Sequence, residues 1–312
     1  MDSNVQAPIQ PAAKIGFIGM GSMGGGMAIN LARKGFTVRA FDLAPAARER
    51  FERETGVPCV ETARDAFTGV DAVVLMLGDG KVVRKVLIGG GGDVPISAAS
   101  RGTLVIDCSS SAPPDTQALG RELAELGIGL IDAPVSGAMK GANEGTLTLM
   151  AGGPDELVKR ADPILRAMGS SIFHTGPLGS GHAMKTINNF IAASGMIAAL
   201  EGILVGKKYG LDPERMIDIL NVSYGRNAAT EWVIRQQVLS GKFAANFAMW
   251  LAAKDARIMA ETAEHIGYAA TLPRDVFGIF EAAREKLGDN VDFTHVVEQL
   301  DTLWRDGGSA RQ

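Results

Sequence analysis

The chain has 312 residues, 46% of them hydrophobic and 21% charged, with 39 glycines; that is enough apolar material for sizeable cores and enough length for two domains. A formal net charge of −4 supplies no basic patch or tail for nucleic acid, and no apolar run approaches the roughly 18 uninterrupted residues of a membrane span. Two cysteines, Cys59 and Cys108, lie in apolar, strand-like surroundings and read as buried free thiols of a reducing, cytoplasmic compartment.

Residues 1–12 carry no apolar core and read as a loose leader rather than a signal peptide. Residues 14–19 (KIGFIG) have the length and composition of a buried strand. They run into Gly19-Met20-Gly21-Ser22-Met23-Gly24, a G-x-G-x-x-G that opens a helix through Met27, Asn30 and Leu31, stopped by Gly35. One glycine permits the tight turn, one lets backbone approach a pyrophosphate, and one lets helix pack close on strand. The helix N-terminus then offers free N–H groups to the anion. A second strand, 37–41, ends at Asp42, about 20 residues beyond the first glycine, where a carboxylate grips ribose hydroxyls. A carboxylate there repels a 2′-phosphate, so the expected cofactor is NAD in preference to NADP.

Further βα units follow. Residues 46–55 read as a helix, and 58–60 as a short strand. The apolar run 72–77 is of the kind a parallel sheet buries; it ends at Gly78-Asp79-Gly80, at a strand's carboxyl end, where open α/β sheets bind ligands. Residues 81–88 read as a helix and Gly89–Gly92 as flexible linkage. Residues 103–107 are another strand, closed by Cys108-Ser109-Ser110-Ser111, with Pro113 and Pro114 starting the next helix. That polar run either caps the helix or touches a cofactor. A strand at 129–132 leads into Asp132-Ala133-Pro134-Val135-Ser136-Gly137-Ala138, a loop that is either a plain turn or an offer of N–H groups and a hydroxyl to a carboxylate. Strands at 145–152 and 172–175 and the link Gly176-Pro177 complete this half.

Residues 179–209 open with Gly179-x-Gly181 and continue as a long helix, apolar nearly all round, which is the pattern of a buried helix. Its first turns carry Lys185, with Asn188 and Asn189 on the same face. A lysine at the polar mouth of such a helix is either a snorkelling side chain or an acid/base whose pKa burial lowers toward neutrality. His182 reads as a hydrogen-bonding residue, and the other histidines show no metal-ligand spacing; no metal site is expected. The rest is helical: 213–222, with Asp212 as N-cap and Pro213 at the first position, then 228–240, 248–266, 273–287 and 293–304, with 305–312 a loose tail. Lys254 and Asp255 read as an ordinary solvated pair.

Four motifs taken together resemble the β-hydroxyacid dehydrogenase family, and within it 3-hydroxyisobutyrate dehydrogenases. They are FIGMGSMGGGMAIN (17–30), DAPVSG (132–137), GSGHAMKTINN (179–189) and Lys254-Asp255. The resemblance covers about 14–303. It implies a Rossmann-type doubly wound, mostly parallel sheet over 13–176 and an all-α substrate and oligomerisation domain over 177–304, built on the long buried helix. The active site is then expected in the cleft between them, in a homodimer or homotetramer.

Carried over by resemblance, Lys185 is the acid/base on the substrate hydroxyl, with Asn189 placing substrate and lysine and Asn188 binding the substrate. Ser136, Gly137 and Ala138 hold the substrate carboxylate. Gly19, Met20, Gly21, Ser22, Met23, Gly24 and Asp42 hold NAD, Leu77, Gly78 and Ser110 line its nicotinamide half, and Lys254 closes over it. Residues 221–226 match a loop that shapes the substrate pocket. The implied reaction is NAD-dependent oxidation of a small 3-hydroxy acid to a semialdehyde or keto acid. Ala138 departs from a usual glycine, Gly78 from a common proline, and Tyr224 and Trp232 add aromatic bulk. Ala192 stands where the oxidative decarboxylase branch, 6-phosphogluconate dehydrogenase, carries its acid, so no loss of CO2 is expected. The alternatives are a reductase of small aldehyde acids such as tartronate or succinic semialdehyde, an imine reductase, against which Lys185 counts, and a non-catalytic dinucleotide-binding interaction module.

Overall fold

A computed structural model of the protein describes residues 7–89 and 94–309, with side chains as far as residue 302. Most of the predicted Gly89–Gly92 linkage lies outside the described residues. The chain divides into two compact units, and the division falls between Lys185 and Thr186.

The first unit alternates strand and helix: β1 (Lys14–Ile18), α1 (Gly24–Arg33), β2 (Thr37–Phe41), α2 (Pro45–Thr55), α3 (Ala63–Phe67), β3 (Ala72–Leu75), α4 (Gly80–Ile88), β4 (Leu104–Asp107), α5 (Pro113–Glu125) and β5 (Gly129–Asp132). It closes with β6 (Val135–Ser136), α6 (Ala138–Glu144), β7 (Leu147–Gly152), α7 (Asp155–Met168) and β8 (Gly169–Gly176). The strands form one sheet whose first five run parallel in the order β2-β1-β3-β4-β5. Antiparallel β7 joins β5 and β6, and β8 adds in parallel to β7.

Burial on both faces explains the unbroken apolar runs. In β3 and β4, Ala72, Val74, Leu104 and Ile106 face one core, while Val73, Leu75 and Val105 face the other. Each such Val, Leu or Ile side chain contributes roughly 1.5–3 kcal/mol on burial. The chain winds from β1 to β2 on one side and to β3 on the other, so a crevice opens at the carboxyl end of β1. The glycine loop sits there.

Several local expectations change. The predicted loose leader is docked at Ile9, which is buried and whose N–H donates to the Arg160 carbonyl at 2.9 Å; one apolar anchor suffices where composition signals none. Residues 58–60 form no strand, although Val60 N–H reaches the Ala40 carbonyl at 2.9 Å. Cys108 is buried but Cys59 only half so, and burial pushes both thiols up, Cys59 to about 11 with Glu52 adding to the effect.

α8 (Ser180–Tyr209) begins in the first unit and continues into the second, which adds α9 (Pro213–Asn221), a wide helix over Ala229–Leu239, α10 (Met249–His265), α11 (Thr271–Leu287) and α12 (Val296–Ser309). Asp212 caps α9, accepting the Glu214 N–H at 2.8 Å, with Pro213 next. The helix at 229–239 is a π-helix, which the sequence does not signal, because an apolar pattern reports which face is buried and not the hydrogen-bond register. Asn227 starts it, its Oδ1 accepting the N–H groups of Ala229 and Thr230 at 2.8 and 3.1 Å. α12 runs past the expected stop at Trp304 to Ser309, through Gly307 and Gly308.

α8 is not buried all round. Met196, Ile197, Leu200 and Ile203 enter the core of the second unit, while Ile187, Ile191 and Val205 are 40%, 62% and 52% exposed. Both faces are apolar, so composition cannot say which one is covered. By length and composition alone this helix would pass for a membrane span, despite Lys185, Asn188, Asn189 and Glu201 along it.

Candidate active site

The glycine loop Gly19–Gly24 joins β1 to α1, and its glycines differ in what they permit. Gly19 has φ of 95°, a left-handed conformation natural only to glycine. A Cβ on Gly24 would lie 1.9 Å from the Gly19 carbonyl oxygen, so the helix can start this close to the strand only without one. At Gly21 a Cβ would meet nothing within 4 Å; this glycine keeps open the space that a pyrophosphate would fill. Among the described residues no backbone carbonyl accepts from the N–H groups of Ser22 and Met23, which leaves them for an anion at the start of α1.

Met20 plays a different part from its neighbours. Its side chain is 2% exposed, and its N–H donates to Asp42 Oδ2 at 2.5 Å. Asp42 Oδ1 accepts the Ala44 N–H at 2.8 Å. These bonds hold the carboxylate at the end of β2, and each oxygen keeps a lone pair for a hydroxyl donor. Loop, open glycine, free N–H groups and oriented carboxylate together fit a dinucleotide with an unmodified ribose.

Two more strand ends bring their loops alongside. Leu77, after β3, donates its N–H to Ser109 Oγ at 3.0 Å. After β4, Asp107 accepts the Ser109 N–H at 2.9 Å and the Ser111 hydroxyl at 3.1 Å. Ser111 therefore serves the loop, and the half-buried Ser110 between these two serines is the member left facing outward. After β5, Ser136 is half-buried and Gly137 and Ala138 are exposed. Gly137 has φ of 132° and Ala138 of 53°. A left-handed alanine costs about 1–2 kcal/mol, so the loop keeps a glycine-like bend at a residue that carries a methyl group.

The G-x-G ahead of Lys185 has its own reason. Gly179 has φ of 92°. A Cβ on Gly181 would lie 2.1 Å from the Met150 carbonyl oxygen, so the first turn of α8 rests directly on β7. Asp132 secures it, accepting the N–H groups of Gly179 and His182 at 2.7 Å each. Burial pushes the Asp132 carboxyl up, against the His182 ring and the two N–H groups that favour its charge. Lys185 follows one turn later and is half-buried.

The second unit holds the remaining candidates. Asn189 Nδ2 donates to Asp255 Oδ2 at 2.6 Å, and Asn188 Nδ2 donates to Asn189 Oδ1 at 3.1 Å. Lys254 Nζ lies 3.2 Å from Asp255 Oδ1. Lys254 and Asp255 are 8% and 9% exposed, which corrects their reading as a solvated pair: adjacent helical residues share no face, and nothing local in sequence signals that both turn inward. Asp255 has no role of its own in the sequence reading beyond its place in the Lys254-Asp255 motif, yet its one buried carboxylate contacts both Asn189 and Lys254. Tyr224, by contrast, is fully exposed and Trp232 half so. Among the described residues no group of His, Cys, Asp or Glu is placed to hold a metal ion.

Asp255→Ala removes an acceptor from both the Asn189 amide and the Lys254 ammonium. A loss of about 1–3 kcal/mol is expected in urea unfolding, with Asp255→Asn losing less because one oxygen remains. An alanine variant as stable as the parent would show that neither bond matters.

Comparison with known proteins follows these features. Residues 14–176 match the family described as the NAD binding domain of 6-phosphogluconate dehydrogenase. Residues 179–300 match the family described as NAD-binding of NADP-dependent 3-hydroxyisobutyrate dehydrogenase. The chain is similar to 2-(hydroxymethyl)glutarate dehydrogenase of Eubacterium barkeri, 35% identical over 96% of this chain and 100% of that one. It is also similar to the NAD-dependent L-serine dehydrogenase of Pseudomonas aeruginosa, 36% identical over 80% and 85%. Among solved structures, 3-hydroxyisobutyrate dehydrogenase of Mycobacterium tuberculosis with L-serine matches with a TM-score of 0.83 and 30% identity, over 92% of this chain and 99% of that one.

Proposed function

The chain belongs to the β-hydroxyacid dehydrogenase family of NAD(P)-dependent oxidoreductases, and on that premise we propose that it oxidises a small 3-hydroxy acid with NAD, to a semialdehyde or keto acid, without loss of CO2. The observation that carries this reading is Lys185 one turn beyond an Asp132-anchored helix start, in the same compact unit as a glycine loop hydrogen-bonded to Asp42.

In the proposed mechanism Ser136, Gly137 and Ala138 receive the substrate carboxylate through a hydroxyl and backbone N–H groups. Neutral Lys185 takes the proton of the hydroxyl, and in the reverse direction its ammonium returns that proton and stabilises the alkoxide. Asn189, its amide turned by Asp255, places substrate and lysine, and Lys254 is assigned to the cofactor. NAD, when bound, supplies the hydride chemistry, while the protein supplies placement and electrostatics. Ala192 offers no acid to protonate an enol, which is why the carboxyl carbon is retained.

The test is a set of initial rates of NAD and NADP reduction with 3-hydroxyisobutyrate, 3-hydroxypropionate, serine, glycerate, 4-hydroxybutyrate, phenylserine and 2-(hydroxymethyl)glutarate, at mildly alkaline pH where more Lys185 is neutral. One 3-hydroxy acid turned over in preference, with NAD, is the expected result. No turnover by a protein that binds NAD would refute the reading.

The choice of dinucleotide is assigned to Asp42. Its charge meets a 2′-phosphate a few ångströms away, and at an effective dielectric of about 40 this repulsion is about 2 kcal/mol. Asp42→Asn is expected to narrow the NAD preference by roughly 10–100-fold, read as the ratio of kcat/KM for the two dinucleotides. An unchanged ratio would place the discrimination elsewhere.

A further inference from the structure

Beneath the first turn of α8 lies a buried polar cluster that the proposed roles leave unused. His182 is 1% exposed. Its Nε2 lies 3.0 Å from the Ser109 carbonyl oxygen, and its Nδ1 lies 2.8 Å from Thr116 Oγ1. A carbonyl oxygen can only accept, so Nε2 carries a hydrogen and donates it. The carboxylates of Asp107 and Asp132 flank the ring at 3.8 and 3.7 Å. With both nitrogens engaged and no solvent access, this ring cannot reach a substrate. Any buried imidazole needs partners for its two nitrogens; what sets this one apart is where its partners lie.

Its partners suggest what it does. The Ser109 carbonyl immediately precedes Ser110, and the Ser109 hydroxyl holds the N–H of Leu77. One imidazole therefore ties the loops after β3 and β4 to the helical turn that leads into Lys185. We propose that His182 is a positioning residue: by clamping the Ser109 carbonyl it holds the loops assigned to the nicotinamide in register with Lys185. This inference rests on the dehydrogenase reading above. Hydride and proton leave the same carbinol, so acceptor loop and base must be placed together, and a misplacement of about 1 Å can cost roughly 100-fold in rate.

The experiment compares H182L, H182N and H182Q in the full chain, with rates expressed per NAD-binding site. Glutamine puts an amide N–H near the position of Nε2, whereas asparagine reaches only the position of Nδ1. H182L and H182N are expected to lose roughly 30–100-fold in kcat, with KM for NAD and substrate moving less than about 3-fold; H182Q is expected to stay within about 5-fold of the parent. A leucine variant at the parent kcat, or leucine and glutamine variants that fall alike, would overturn the proposal. Imidazole ¹⁵N NMR of the parent, with His182 assigned by its loss in H182Q, gives a readout that needs neither turnover nor a folded leucine variant. A hydrogen on Nε2 supports the clamp, and an Nε2 without one overturns it. A parent that binds NAD but turns over nothing would refute the dehydrogenase reading alone, and the ring spectrum would still decide the clamp.

Discussion

Lys185→Ala is expected to lose at least about 10³-fold in kcat while still binding NAD. A positioned acid/base contributes roughly 10²–10⁴-fold, and the ammonium also stabilises the alkoxide, which is worth a further factor that overlaps the first. The glycine loop and Asp42 that are assigned to the dinucleotide do not depend on Lys185, so the dissociation constant for NAD, measured by fluorescence titration, should change little. Lys185→Arg separates the two contributions. It keeps a positive charge, but a guanidinium does not release its proton in the working range, so this variant should be nearly as inactive as alanine. An arginine variant with substantial turnover would mean that charge, and not proton transfer, is what the position supplies.

Gly24→Ala should be the most damaging single methyl group in the first unit. It places a carbon 1.9 Å from the Gly19 carbonyl oxygen, and neither backbone segment can yield without moving α1 from β1. A stability loss of about 3 kcal/mol or more is expected, read as the urea midpoint, together with loss of measurable NAD binding. Gly21→Ala is the contrast. Its methyl group meets nothing within 4 Å, so stability should stay within about 0.5 kcal/mol while NAD affinity falls, because the new methyl group occupies the space kept for the pyrophosphate. A Gly21→Ala protein that binds NAD as the parent does would show that the loop is not the pyrophosphate site.

The two glycines also show how much the sequence discloses. Motif spacing places both in one loop and gives the strand, turn, helix and Asp42 that surround them, because each of those signals is local. The central strands of the parallel sheet are legible for the same reason, β3 above all as an unbroken apolar run, and so is the helix that carries Lys185. What stays hidden depends on partners distant in the chain. Asp132 meets Gly179 across 47 positions and His182 across 50; no periodicity records those bonds, and DAPVSG reads as a loop without them. Asp255 finds Asn189 across 66 positions, and only that contact reveals the Lys254–Asp255 pair as buried. The short helices α3 and α6 are missed because five and seven residues are too few to show a helical period. The exposed stripe of α8 is missed because Ile187, Ile191 and Val205 are as apolar as the residues that the core takes.

Label transfer follows the hydride and the carboxyl carbon through one turnover. The substrate is the best 3-hydroxy acid of the panel, deuterated at its hydroxyl-bearing carbon and carrying ¹³C in its carboxyl group, and the reaction with NAD is followed by mass spectrometry. Deuterium is expected in the NADH, with ¹³C retained in the product and no transfer by the Lys185→Ala protein. NADH formed without deuterium, or ¹³CO2 released in step with it, would contradict a dehydrogenase that takes its hydride from that carbon and leaves the carboxylate in place.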